Sequence, residues 1–249
     1  MNTLVTVITP TTGSPLLKAA LESVARQNYP NVQHLVVIDG KERAKDARRL
    51  LRNRPVDIIE LPYPTGADGH LGHRIYGGAT YVAKGDFICF LDEDNWMDED
   101  HIESLVRLIQ NGHDWAYSLR KIVDTKGEFV CFDNCESLGK WPSIISDDDF
   151  FIDVNCFMLS KEWALRASPI WYRRCDEPDG IQVDRMLSMV LRQDAPHFEC
   201  NYQYTLNYRA GSTERSVKPD FFIKGNKAMA ERYNGKLPWS PWERILQPL

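Results

Sequence analysis

A chain of 249 residues with 43% hydrophobic residues is long enough to bury the core of one α/β domain. Its formal net charge of -5 argues against a nucleic-acid-binding protein, which normally presents a basic field. The six cysteines form no CxxC pair, so we expect reduced thiols and a cytoplasmic location. The start lacks a signal-peptide pattern, and no apolar run reaches the roughly 18 residues of a membrane span. We therefore expect a soluble protein, with peripheral membrane association left open.

The first part of the chain alternates between strand and helix patterns. The predicted strands are Leu4 to Thr9, Val32 to Ile38 and Val56 to Glu60, and the predicted helices are residues 14–27 and 41–54. This alternation is typical of parallel βαβ units, whose ligands bind beyond the carboxyl ends of the strands. No GxGxxG follows the first strand, which argues against a dinucleotide dehydrogenase.

A glycine-rich segment, residues 62–84, precedes the next strand. It contains five glycines together with His70, His73 and Arg74, and it leads into a predicted helix near Tyr76 to Ala83. Glycines beside a helix start let backbone N–H groups and a cation approach phosphate oxygens. An ordinary flexible loop is the alternative interpretation.

The apolar strand Phe87 to Leu91 ends in three consecutive acids, Asp92, Glu93 and Asp94. Asp92 and Asp94 lie on the same side of an extended chain, so their oxygens can converge on one hard cation. The alternative is a solvated turn before the helix predicted over residues 98–111.

The second half continues with mixed elements. We predict paired strands over Trp115 to Arg120 and Phe129 to Phe132, strands over Phe151 to Ser160 and Phe198 to Tyr208, and helices over residues 161–167, 181–192 and 221–233. Asp184, near the start of a late helix, is either a general base or a surface acid paired with Arg185 or Arg192. No linker or repeat is evident, so we expect one domain over residues 1–249, with a nucleotide-sugar and metal half (1–111) and an acceptor half (112–249).

These features resemble the family 2 glycosyltransferases of the GT-A fold. The matching parts are Val7-Ile8-Thr9-Pro10-Thr11, the strand ending at Asp39, the segment 83–94 and the later Asp184-Arg185. The resemblance implies a single GT-A-type α/β domain with a mostly parallel central sheet flanked by helices and a Rossmann-like nucleotide-binding half. It also implies an inverting, metal-dependent transfer of a sugar from a nucleotide diphosphate, a UDP-sugar being favoured, to a glycan or other acceptor hydroxyl. A nucleotidyltransferase and a catalytically silent nucleotide-sugar binding protein are the alternatives.

The resemblance also assigns roles to individual residues. The nucleotide site would comprise Thr9, Pro10, Thr11, Asp39, Arg74, Asp92 and Glu93, and Asp92 and Asp94 would hold Mn²⁺ or Mg²⁺. Asp184 would be the base, with Glu177 and Asp179 as close rivals. Arg209 would contact phosphate, and Asp153 and Asn155 are candidate acceptor contacts.

Overall fold

The computed structural model describes residues 3–173, 183–214 and 216–240, without the side chain of Asp68. In these residues, nine strands form one sheet in the order β3-β2-β1-β4-β8-β6-β9-β5, and β7 pairs with β6. The strands are β1 Val5–Thr11, β2 Val32–Ile38, β3 Asp57–Glu60, β4 Phe87–Phe90, β5 Trp96–Met97, β6 Trp115–Val123, β7 Phe129–Phe132, β8 Phe157–Ser160 and β9 Phe198–Arg209. The helices are α1 Leu17–Ala25, α2 Ala44–Leu51, α3 His73–Ala79, α4 His101–Gln110, α5 Lys161–Ala167, α6 Val183–Asp194 and α7 Pro219–Arg232.

The first four strands of the sheet order are parallel. β1 lies between β2 and β4 and is buried throughout, as its β-branched sequence predicts for a strand covered on both faces. β8 then runs antiparallel to both β4 and β6, whereas β9 runs parallel to β6. The carboxyl ends of β1, β2, β4, β6 and β9 and the start of β8 therefore lie along one edge of the sheet.

A continuous apolar core extends beneath both halves of the sheet. Trp115 of β6 stacks on Phe198 of β9 with ring centroids 4.2 Å apart, and Phe90 of β4 packs edge-on against Trp171 at 5.3 Å. The predicted fold class, a single α/β domain with a central sheet and flanking helices, is confirmed; the sheet is mixed in its second half. None of the helices in the described part of the chain has the length and apolar character needed to cross a bilayer.

Several predicted strands have different limits, among them β6, which continues beyond Arg120 to Val123. β1 continues through Pro10 to Thr11. Its pairing with β4 ends at Ile8, so the N–H that Pro10 lacks is not needed for a hydrogen bond between these two strands. The strand predicted over Phe151 to Ser160 begins only at Phe157. The preceding residues form a 3₁₀ turn, Val154–Cys156, which the Asp153 carboxylate caps.

Two further elements depart from the sequence pattern. α3 begins at His73 rather than near Tyr76. A glycine is needed at position 77 inside this helix, since a Cβ there would come within 2.8 Å of the Tyr172 ring. The short strand β5 lacks a predicted counterpart, since two residues are too few to show a period.

Candidate active site

The acidic tip of β4 lies beside the end of β1, because the Leu91 N–H donates to the Ile8 carbonyl. Both oxygens of the Asp92 carboxylate accept hydrogen bonds: Oδ1 from the Tyr76 hydroxyl at 2.6 Å and Oδ2 from Asn155 Nδ2 at 2.8 Å. The Asp92 N–H in turn donates to Asn155 Oδ1 at 2.6 Å. Asp92 is thus held in a defined orientation.

Asp92 and Asp94 carry charge that their closest donors do not neutralise. Burial, and next the Asp94 charge, raise the pKa of Asp92 to about 7. Burial also raises the pKa of Asp94, and a hydrogen bond from Ser212 opposes that shift. Two close carboxylates with neutral donors favour a bound cation.

Asp92 and Asp94 could supply two carboxylate ligands to a hard divalent ion, which is fewer than the ion needs to fill its coordination shell. Within the described ranges, no group of three or more His, Cys, Asp or Glu residues is arranged to hold a metal. Mg²⁺ and similar ions are commonly bound by one or two carboxylates, with substrate phosphates and water completing the shell. Asp92 and Asp94 match that kind of site.

Glu93 faces away from its two neighbours. Its oxygens accept from the Thr11 hydroxyl at 2.6 Å, the Thr12 hydroxyl at 2.7 Å and the Ser14 N–H at 3.2 Å. The Glu93 carboxylate therefore stabilises the loop between β1 and α1 through these hydrogen bonds. Residues 93 and 94 form a turn after β4, in which the Asn95 N–H donates to the Asp92 carbonyl at 3.2 Å, so the extended chain expected here ends before Glu93. The nucleotide contact of Glu93 stays a prediction.

The side chains at the end of β1 are also engaged within the protein. The Thr9 hydroxyl is fully buried and hydrogen-bonded to His34 Nε2 at 2.9 Å. Pro10 is buried against Gly72, where a Cβ would come within 2.8 Å of the proline ring. The Thr11 hydroxyl is bound to Glu93, so both threonine hydroxyls are engaged within the protein, and nucleotide contacts by these three residues stay a prediction.

Asp39, at the end of β2, anchors the glycine-rich segment. Its Oδ1 accepts from the Thr65 N–H at 2.6 Å and the Thr65 hydroxyl at 2.9 Å, and its Oδ2 accepts from the Gly66 N–H at 3.0 Å. Arg74 of α3 donates to the Thr65 carbonyl at 3.3 Å and to His70 Nε2 at 2.6 Å. A nucleotide contact by Asp39 stays a prediction.

Asp184 lies in the first turn of α6, where its Oδ1 accepts from the Arg185 N–H at 2.9 Å. Burial, and next the charge of Asp153, raise the pKa of Asp184 to about 7. Asp153 also raises the pKa of Asp92, so it lies within electrostatic reach of both carboxylates. The rival bases Glu177 and Asp179 lie outside the described residues.

The predicted acceptor contacts, Asp153 and Asn155, are buried inside the protein. Asn155 has no exposed surface, and Asp153 is 5% exposed. Asp153 Oδ1 accepts from both the N–H and the Nδ2 of Asn155, and Asp153 Oδ2 accepts from Arg120 at 2.5 Å. In this structure Asn155 supports Asp92, and Asp153 holds Asn155 in place. Contact of these two residues with an acceptor stays a prediction.

The buried cation Arg120 is the main feature of the site that the sequence analysis missed. Its guanidinium also binds Asp133 at 2.8 Å and Glu136 at 2.6 Å, and it stacks 4.3 Å from the centroid of the Tyr208 ring. The available signal was an arginine inside the largely apolar strand β6, because a charged residue is almost never fully buried without partners.

Arg209, at the end of β9, is only 6% exposed and binds backbone carbonyls. Its Nε donates to Asp94 O at 3.1 Å and its Nη1 to Thr125 O at 2.9 Å, and the guanidinium lies 5.1 Å from the Trp96 ring centroid. Arg209 therefore fixes the backbone of Asp94. Its predicted phosphate contact remains a prediction.

An α/β sheet whose edge gathers the acidic tip of a central strand and a buried acid from a late helix has the architecture of the GT-A glycosyltransferases. Residues 1–349 of S. aureus TarS superpose on it with a TM-score of 0.62 at 17% identity, over 95% of this chain and 67% of that one. The mannosyltransferase PcManGT from Pyrobaculum calidifontis, solved with GDP-Man and Mn²⁺, gives a TM-score of 0.57 at 15% identity, over 96% of this chain and 66% of that one.

The family model described as glycosyl transferase family 2 matches residues 6–130, and the chain belongs to that family. It is also 29% identical over 109 residues to YwdF, an uncharacterized glycosyltransferase of Bacillus subtilis (strain 168). That match covers 44% of this chain and 38% of YwdF, so the chain matches well under half the length of this relative.

Proposed function

We propose that the protein is an inverting, metal-dependent glycosyltransferase. It moves a sugar from a nucleotide diphosphate, with a UDP-sugar favoured, to a hydroxyl of a glycan or other acceptor, in polysaccharide or glycoconjugate synthesis. One observation carries the proposal: Asp153 lies within electrostatic reach of both Asp92 and Asp184, which supports a metal ligand and a base close enough to act on one donor. TarS solved with UDP-GlcNAc and PcManGT solved with GDP-Man and Mn²⁺ support a nucleotide-sugar donor.

On the donor side, Asp92 and Asp94 would hold Mn²⁺ or Mg²⁺. The bound ion would supply Lewis-acid stabilisation of the charge that gathers on the nucleoside diphosphate as it leaves. The protein contributes orientation: Tyr76 and Asn155 fix the Asp92 carboxylate, and Arg209 fixes the Asp94 backbone. Such a preorganised site needs little rearrangement during the reaction.

On the acceptor side, Asp184 would act as the general base. Its carboxylate would take the proton of the acceptor hydroxyl while that oxygen attacks the anomeric carbon. The bond from this carbon to the diphosphate oxygen breaks, its electron pair stays on the leaving diphosphate, and a single displacement inverts the configuration. A pKa of about 7 suits a base that must accept a proton near neutral pH. Glu177 and Asp179 are the alternatives for this role.

The proposal is tested by calorimetric titration of UDP, GDP and CDP into the folded protein, with Mn²⁺ and again with EDTA. We expect one nucleotide to bind with Mn²⁺ and to lose most of its affinity in EDTA, and the corresponding nucleotide sugar to be hydrolysed slowly or transferred to an acceptor. Absence of binding by all three would refute the donor assignment. Binding without transfer or hydrolysis across an acceptor screen would favour a catalytically silent binding protein, and pyrophosphate release from a nucleoside triphosphate would favour a nucleotidyltransferase.

A further inference from the structure

The Asp92 carboxylate is held by two uncharged side chains from distant parts of the chain. The Tyr76 hydroxyl donates to one oxygen at 2.6 Å, and the Asn155 amide donates to the other at 2.8 Å. We propose that Tyr76 and Asn155 are positioning residues, which orient Asp92 toward the metal and the donor diphosphate while leaving its negative charge in place. This inference rests on the proposed function.

Tyr76 is held rigidly by its surroundings. It is fully buried in α3, with its ring edge-on to Phe90 at 5.0 Å and tilted against Trp171 at 5.5 Å. Since the ring cannot turn without disturbing this packing, the hydroxyl stays directed at Asp92 Oδ1.

Asn155 is fixed by hydrogen bonds on every side. Its Oδ1 accepts the Asp92 N–H, so its Nδ2 must face the carboxylates, and that nitrogen reaches both Asp92 Oδ2 and Asp153 Oδ1 at 2.8 Å. Asp153 is itself held by Arg120. Buried hydrogen bonds thus run from Arg120 to Asp153, from Asp153 to the Asn155 amide, and from that amide to Asp92.

The uncharged character of the two donors matters because a lysine or arginine in their place would neutralise Asp92 and compete with a bound cation. The buried Arg120 binds Asp153 and not Asp92, and it faces three carboxylates in all. Arg209, the cation close to Asp94, likewise donates to its backbone carbonyl at 3.1 Å. Both acids are therefore oriented without a direct ion pair in these contacts.

The test is calorimetry of UDP and of GDP in the presence of Mn²⁺ with Tyr76→Phe and Asn155→Ala. Each variant should weaken Mn²⁺-dependent nucleotide binding about 10-fold to 100-fold, the usual effect of losing a residue that orients a metal ligand. The apparent Mn²⁺ affinity at saturating nucleotide should fall in parallel. A role in packing alone would not move this metal dependence.

Two control variants match these substitutions. Tyr204→Phe removes another buried hydroxyl, which donates to Asn134, and Asn201→Ala removes an amide that donates to Ser104 at 2.9 Å. Both should bind nucleotide and Mn²⁺ as the wild type does. Thermal unfolding of all four variants shows whether each one folds.

The outcomes distinguish a failure of the proposed function from a failure of the positioning roles of Tyr76 and Asn155. If the wild type binds no nucleotide with Mn²⁺, the proposed function itself fails. If the wild type binds but folded Tyr76→Phe and Asn155→Ala bind equally well, the positioning roles are refuted. Should Asn155→Ala not fold, Tyr76→Phe decides, because it removes one hydroxyl and keeps the ring packing.

Discussion

Replacing Asp184 by asparagine should abolish most activity and at the same time stabilise the protein. The substitution keeps the size of the side chain and its capacity to accept the Arg185 N–H. It removes a carboxylate whose ionised form is disfavoured by burial and by the charge of Asp153. The two effects have opposite signs because a base must be ionised to work, whereas burial penalises ionisation.

The size of the expected stabilisation follows from the pKa of Asp184. The Asp184 pKa rises from 3.8 to about 7, about three units, and at about 1.4 kcal/mol per unit the ionised carboxylate costs at most about 4 kcal/mol of stability above pH 7. Because the side chain is only partly buried by surface area, solvent screening reduces this to about 1–3 kcal/mol. Between pH 4 and 7 the folded state holds more protons than the unfolded state, so the free energy of unfolding falls by this amount as the pH rises through that range.

Urea unfolding of the metal-free protein at pH 4.5 and pH 8 measures the effect. Asp184→Asn should be more stable than the wild type at pH 8 and nearly equal to it at pH 4.5, while turnover falls by about 10²-fold or more and nucleotide binding is unchanged. Asp194→Asn, an exposed acid on the same helix, is the control and should show no pH-dependent gain. An equal or lower stability at pH 8 would refute the burial argument, and near-normal turnover would transfer the role of base to Glu177 or Asp179.

Three further predictions concern the same edge of the sheet. Asp94→Ala should abolish Mn²⁺-dependent nucleotide binding in calorimetry without unfolding the protein, and retained binding would exclude Asp94 as a metal ligand. The turnover of the wild type should rise about tenfold per pH unit below about pH 7 and then level off, because Asp184 must lose its proton; a flat profile would contradict this assignment. Arg120→Met should lower the free energy of unfolding by about 3–5 kcal/mol in urea, since it leaves three buried carboxylates without their cation, and a neutral effect would mean that those acids are protonated.

The parallel half of the fold was predictable because its signals are local. Val5–Thr11 and Val32–Ile38 are β-branched or apolar runs of strand length, and the patterns between them have helical spacing. The alternation of an extended chain was the basis for expecting Asp92 and Asp94 on one side. The structure instead has a turn at residues 93 and 94, closed by the Asn95 N–H donating to the Asp92 carbonyl at 3.2 Å.

The supporting residues were not predictable, because their contacts join segments far apart in the sequence. Asn155 meets Asp92 across 63 residues, and Glu93 meets Thr11 across 82. Nothing local in the sequence distinguishes an asparagine that supports a buried carboxylate from one that contacts a ligand. Only the antiparallel pairing of β8 with β4 brings Asn155 next to Asp92.

Buried charged residues connect Asp92, the proposed metal ligand, with Asp184, the proposed base. Glu136 binds Arg120 at 2.6 Å and Arg185 at 2.9 Å, so the cation that holds Asp153 and the cation next to Asp184 share one carboxylate. Burying such a network gains little stability, since removing charges from water costs about as much as their attraction returns. Its benefit is geometric: Arg120 fixes Asp153 and thereby Asn155 and Asp92, while Arg185 fixes the first turn of α6 and thereby Asp184. A shift of either cation would therefore move Asp92, the proposed metal ligand, relative to Asp184, the proposed base.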